Sequence, residues 1–131
     1  KAGYTPKEGD IVLLQTGADQ HWGTAKYLTA GAGMSAEATE WLIDHGVKVM
    51  GTDGWSWDVP LPIEAEEFAK SGDTSIIWEA QRVGRRKAYC HLEKLTNLEQ
   101  LPFTGYQVHC LPVNVKGASA GWCRAVAILN P

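Results

Sequence analysis

Two apolar runs with one amphipathic segment between them constrain this chain most. "EGDIVLLQTG" (Glu8 to Gly17) leads from a charged turn into a continuous apolar run that Gly17 ends, the pattern of a buried strand. "VKVMGTD" (Val47 to Asp53) reads as a second short strand. Between them Ser35 is placed to cap a helix, with Ala38, Trp41, Leu42 and His45 on one face and Gly46 at the C-terminal stop. Ala18 to Gly33 reads as loop. Strand, helix, strand in that order specifies a parallel crossover unit, and with it an α/β fold.

The rest of the chain extends this pattern. "GWSWDVPLP" (Gly54 to Pro62) is a loop rich in Trp and Pro. It follows the carboxyl end of a strand, where ligands gather in open α/β sheets. "IEAEEFAKSG" reads as a short helix, "SIIWEAQRVG" (Ser75 to Gly84) as helical, "KAYCHLE" as extended and "NLEQLP" as one helical turn. Two strands follow, "YQVHCLPVNV" (Tyr106 to Val115) and "CRAVAIL" (Cys123 to Leu129), joined by the small-residue loop "KGASAG". No linker, repeat or low-complexity segment interrupts residues 1–131, which read as a single domain.

Charge excludes some partners. The net charge of −3 gives no basic footprint for nucleic acid, and the cluster Arg82, Arg85, Arg86, Lys87 is short enough to be a solvated face. No apolar run is long enough to span a membrane and no signal peptide is visible. Cys90, Cys110 and Cys123 cannot all pair internally, which suits buried thiols in a reducing compartment; the expected location is the cytoplasm. The chain opens on Lys1, not Met.

Few residues invite chemistry. Glu93 sits behind a strand and reads either as a surface carboxylate paired with Lys94 or Arg86, or as a metal ligand. On a strand His91 shares its face. A zinc site from Cys90, His91, Cys110 and Cys123 is conceivable, but the spacing matches no zinc pattern. His21 and His45 read as structural or incidental. Asp53 and Asp58 flank the Trp loop, as backbone caps or as general bases. There is no G-x-S-x-G, no G-x-G-x-x-G and no P-loop.

Four ordered stretches, "EGDIVLLQTG", "MSAEATEWLIDHGVKVMGTDGWSWD", "YCHLEKLTNLEQLP" and "GWCRAVAIL", resemble the second half of the cyclase-family metal-dependent hydrolases. That family includes kynurenine formamidase (arylformamidase) and isatin hydrolase. The resemblance implies a swivelling β/β/α fold, a mixed sheet with flanking helices. It also implies hydrolysis of an amide or lactam bond in a small aromatic substrate with Zn or Mn. It makes Glu93 a metal ligand. Trp55, Trp57, Trp78 and His91 are then pocket residues, against the alternative that the tryptophans are core, which is the reading preferred for Trp41. The family's H-x-G-T-H-x-D motif is missing; "HWGTAKY" at His21 only echoes it. Gln81 in "WEAQRVG" stands where the family has His, leaving a weaker amide oxygen as ligand. The resemblance therefore implies a C-terminal half (a fragment, one subunit of a split enzyme or the second half of a longer chain), completed by a polypeptide carrying that motif and inactive alone, within a homo-oligomer. The alternative is a non-catalytic module that binds an aromatic ligand or serves assembly.

Overall fold

The computed structural model describes residues 3–129. Two compact units divide the chain, Lys1–Thr96 and Asn97–Pro131.

The first unit is built on a three-stranded parallel sheet in the order β1-β2-β3, with β1 at Ile11–Leu14, β2 at Val49–Thr52 and β3 at Cys90–Leu92. Ile11 pairs with Val49 and Leu14 with Thr52, while Val49 pairs with Cys90 on the other side. Helix α1 (Ala36–Asp44) makes the crossover from β1 to β2. Ser35 caps it as its sequence position predicts, accepting the Ala38 N–H at 3.1 Å. Gly46 takes φ 89° just past the helix, a left-handed value that glycine adopts without penalty.

The buried row of α1 is Thr39, Leu42 and Ile43, one residue round from the face read off the sequence. Trp41, expected in the core, is instead 48% exposed and lies against the His45 ring, centroids 4.0 Å apart. The tryptophan in the core is Trp57, 1% exposed, packed with Leu42, Ile43, Val47, Met50, Ala80 and Val83. Its indole N–H donates to Thr39 Oγ1 at 3.1 Å, which explains why a threonine sits on the buried face.

Helix α2 spans Leu61–Ser71, with a proline in its first turn and Gly72 at φ 68° after its end. The stretch expected to be helical over Ser75 to Gly84 is broken. A 3-10 turn at Thr74–Ile76 is followed by Trp78 in the left-handed region, then by α3 (Glu79–Arg82) and a second 3-10 turn at Val83–Arg85. Tertiary hydrogen bonds from distant carboxylates outcompete continuous helix here, as the site below shows.

Gly33 marks the tightest approach in this unit. A Cβ there would lie 2.0 Å from the Val59 nitrogen and 2.1 Å from the Asp58 carbonyl carbon, so two backbone segments would have to separate. Gly33→Ala is expected to cost about 3 kcal/mol of stability, the upper range for overpacking a close contact, measurable by urea denaturation.

The second unit contains one 3-10 turn at Leu98–Gln100 and an antiparallel hairpin of β4 (Tyr106–Pro112) and β5 (Cys123–Leu129), in register Tyr106 to Leu129 and Pro112 to Cys123. Parallel and antiparallel ladders thus coexist in the chain, in separate sheets, with helices alongside. Among the described residues no helix is long and apolar enough to cross a membrane. The three cysteines are free, and Cys90 is exposed rather than buried.

Candidate functional site

Beyond the carboxyl ends of β2 and β3 the chain turns twice, and the two turns interlock. After β2 the Trp loop begins at Asp53. After β3 the backbone returns along it: Lys94 N–H donates to Gly54 O and Leu95 N–H to Thr52 O, each at 3.0 Å. Lys94 adopts φ 62° to make this return, an uncommon value for a residue with a side chain. Glu93 is thereby aimed at the Trp loop.

Both carboxylate oxygens of Glu93 are engaged. Oε1 accepts from Trp57 N–H at 3.1 Å and from the Gln81 amide nitrogen at 3.3 Å, and His91 Nε2 lies 3.3 Å away. Oε2 takes the Lys94 ammonium at 3.1 Å. Lys94 is itself anchored, donating to Trp55 O at 2.7 Å with its nitrogen 4.4 Å from the Trp55 ring centroid. His91 stacks on Trp57, centroids 5.7 Å apart and planes 19° from parallel. Arg86, the other cation considered for Glu93, pairs with Glu40 instead.

Burial alone would raise the pKa of Glu93. The hydrogen bonds of His91 and Lys94, the Lys94 charge and the Trp57 N–H outweigh it and hold the carboxyl below its ordinary 4.5. A carboxyl shifted down on folding stabilises the fold at pH values above its unfolded pKa, and that contribution is lost as pH falls through its folded pKa. Glu93→Gln should therefore be less stable than the parent chain at neutral pH, with the difference shrinking below about 4.5. Denaturation midpoints across the acid range give that difference directly.

The two aspartates flanking the Trp loop are structural. Asp53, 1% exposed, accepts Thr16 N–H at 2.9 Å, the Thr16 hydroxyl at 2.6 Å and Gly17 N–H at 2.7 Å, tying the end of β2 to the loop after β1. Asp58 is buried and accepts Ala80 N–H at 2.7 Å and Gln81 N–H at 3.2 Å. Neither presents a free oxygen as a general base would.

Of the residues singled out in the sequence, Glu93, Gln81, His91 and Trp57 meet in one cluster, and Trp55 reaches it through Lys94. Trp57 is a core residue, so its ring offers no open wall. Trp55 is partly exposed and also meets Tyr27 edge-on, centroids 6.0 Å apart. Trp78 is 48% exposed and is held through its backbone: its N–H donates to Glu64 at 3.2 Å and its carbonyl accepts from Arg82 N–H at 2.9 Å. A depression with space of only about 10 Å³ adjoins Leu28, Ala32, Trp55 and Ser56. A wider open hollow of about 380 Å³ lies between β1 and α1, lined by Val12, Leu14, Met34, Ala38, Trp41 and Leu42.

A divalent ion would find two suitable donors here, the Glu93 carboxylate and the His91 imidazole. Gln81 turns its amide nitrogen toward Glu93, so as placed it is a hydrogen-bond donor and not a ligand. Among the described residues no group of three or more His, Cys, Asp or Glu side chains could hold a metal. The donors fit in kind as one edge of a site and fall short of the three protein ligands a catalytic ion needs.

Sequence and fold each have known counterparts. Residues 1–59 match the family model "Putative cyclase". A kynurenine formamidase from Erythrobacter litoralis (strain HTCC2594) is 32% identical over 93 residues, covering 71% of this chain and 37% of that protein. The chain is similar to the cyclase family. An isatin hydrolase solved with the product analogue thioisatinate superposes with a TM-score of 0.76 at 19% identity, over 94% of this chain and 46% of that one. Isatin hydrolase A from Labrenzia aggregata, solved with benzyl benzoate, gives 0.71 at 23% identity, over 98% and 49%. The cyclase fold is therefore present, and the chain spans less than half the length of each of these relatives.

Proposed function

We propose that this chain is part of a cyclase-family hydrolase that cleaves an amide or lactam bond in a small aromatic substrate, an arylformamide or an isatin-like ring. The observation that carries this reading is Glu93. It is held beside His91 by a backbone N–H, an amide and an ammonium, in a chain whose relatives include a kynurenine formamidase and two isatin hydrolases. Zn or Mn would be held by Glu93, with His91 beside it, and by the His and Asp donors of a second polypeptide segment bearing H-x-G-T-H-x-D. Such an ion supplies an acidified water and a polarised carbonyl. In this reading the chain's own residues orient the carboxylate and supply aromatic wall: Lys94 and Trp57 N–H fix Glu93, while Trp55 and Trp78 offer exposed ring faces for stacking. The test is hydrolysis of an arylformamide and of isatin by this chain combined with a polypeptide carrying that motif. Turnover by the combination and none by either part supports the reading; no turnover with correctly folded partners contradicts it.

One observation favours a second reading. Glu93 already has hydrogen-bond or ionic partners on both oxygens, so the chain is self-sufficient without an ion. That suits a non-catalytic module that binds an aromatic ligand or serves assembly. Quenching of tryptophan fluorescence in the isolated chain by an aromatic carboxylic acid, with no metal bound, would support it.

A further inference from the structure

Two costly features of the first unit touch each other, Trp78 and Glu64. Trp78 stands at φ 55° and ψ 43°, the left-handed region, where a bulky side chain is a genuine outlier. Glu64 on α2 is buried, 5% exposed, in a helix whose other residues are largely exposed. Its Oε1 accepts the Trp78 N–H at 3.2 Å, and its Oε2 is enclosed with no hydrogen-bond partner among the described residues.

A half-satisfied carboxyl is a costly thing to enclose, and a left-handed tryptophan is a costly way to start a helix. Together they have a directed result. Trp78 precedes α3, and Asp58 takes the N–H groups of Ala80 and Gln81, two and three residues on. Two buried carboxylates from separate segments thus fix the first turn of a four-residue helix that could not stand alone. Gln81 leaves that turn with its amide on Ser56 Oγ at 3.2 Å and on Glu93 Oε1 at 3.3 Å.

We propose that Glu64 is a positioning residue: by holding the strained Trp78 turn it presents the Trp78 ring and delivers the Gln81 amide to Glu93. This deepens the functional reading by naming what sets the Gln81 side of that site. The charged groups facing Glu64 are Asp58, Glu79 and Arg82, and burial raises its carboxyl above the ordinary range. A neutral side chain of the same shape should therefore do its work.

The experiment is amide exchange and side-chain amide NMR on the full chain, without metal or substrate, so that it stands or falls separately from hydrolysis. Three reporters are read: the Trp78 backbone N–H, the Gln81 side-chain amide and, as a control for the core, the Trp57 indole N–H bonded to Thr39. In Glu64→Ala the Trp78 amide should exchange at least about tenfold faster and the Gln81 amide should move to solvent-like shifts, with the Trp57 signal unchanged. Glu64→Gln should restore both. Unchanged Trp78 and Gln81 signals in Glu64→Ala would overturn the proposal. So would failure of Glu64→Gln to restore them, or loss of the Trp57 signal in Glu64→Ala, which would make Glu64 a general determinant of the core.

Discussion

Replacing Glu93 by alanine in the completed hydrolase is expected to lower turnover of an arylformamide at least about 100-fold, since losing even a residue that only supports a metal ligand costs 10–100-fold. The same substitution leaves Trp57 N–H, the Gln81 amide and Lys94 without their shared acceptor. Loss of activity must therefore be separated from loss of structure. Glu93→Gln serves for that. It keeps an acceptor for Trp57 N–H and a near-identical shape, but a neutral amide oxygen is a weaker partner for a divalent ion and for Lys94. If hydrolysis depends on the carboxylate, Glu93→Gln stays folded and loses activity with Glu93→Ala. If Glu93 only organises the loop, Glu93→Gln keeps most of the activity.

Trp57→Ala has the largest expected effect on stability. The ring is 1% exposed, packs among seven core residues counting itself, stacks on His91 and satisfies Thr39 with its indole N–H. Truncating a buried tryptophan costs about 3–5 kcal/mol, and Thr39 would be left buried with a lost partner. That is comparable to the whole stability of many small domains, about 5 kcal/mol at the low end. Loss of the cooperative thermal transition by circular dichroism is the expected result. Trp41→Ala, by contrast, should change the transition little, because that ring is half exposed and rests mainly against His45 of its own helix end.

The contrast between these two tryptophans shows where the sequence could be read. The β1–α1–β2 crossover was legible because its signals are local: an apolar run, a serine cap, a glycine stop and a second apolar run. The face of α1 was misplaced by one residue because Thr39 counts as polar in any pattern. Only the indole N–H of Trp57, 18 residues away, makes its burial favourable. The helix expected across Ser75 to Gly84 failed for a similar reason. Glu64 and Asp58 capture three N–H groups of that stretch from 14 to 23 residues away, and no local propensity reports that.

The site divides the same way. His91 beside Glu93 follows from the two-residue period of a strand, and the two side chains do meet. Gln81 and Trp57 N–H reach Glu93 across 12 and 36 residues and were not visible as its hydrogen-bond donors. Lys94 was anticipated as a surface partner; its anchoring on the Trp55 ring and carbonyl was not. The one clue to it was composition, a loop with two tryptophans after a strand end.

The most direct measurement is metal content after dialysis, by elemental mass spectrometry, of this chain alone and of its complex with a polypeptide bearing H-x-G-T-H-x-D. The account predicts no stoichiometric Zn or Mn on the chain alone, one ion site filled in the complex, and that metal lost when the complex carries Glu93→Ala. Full metal retention by the Glu93→Ala complex would contradict it.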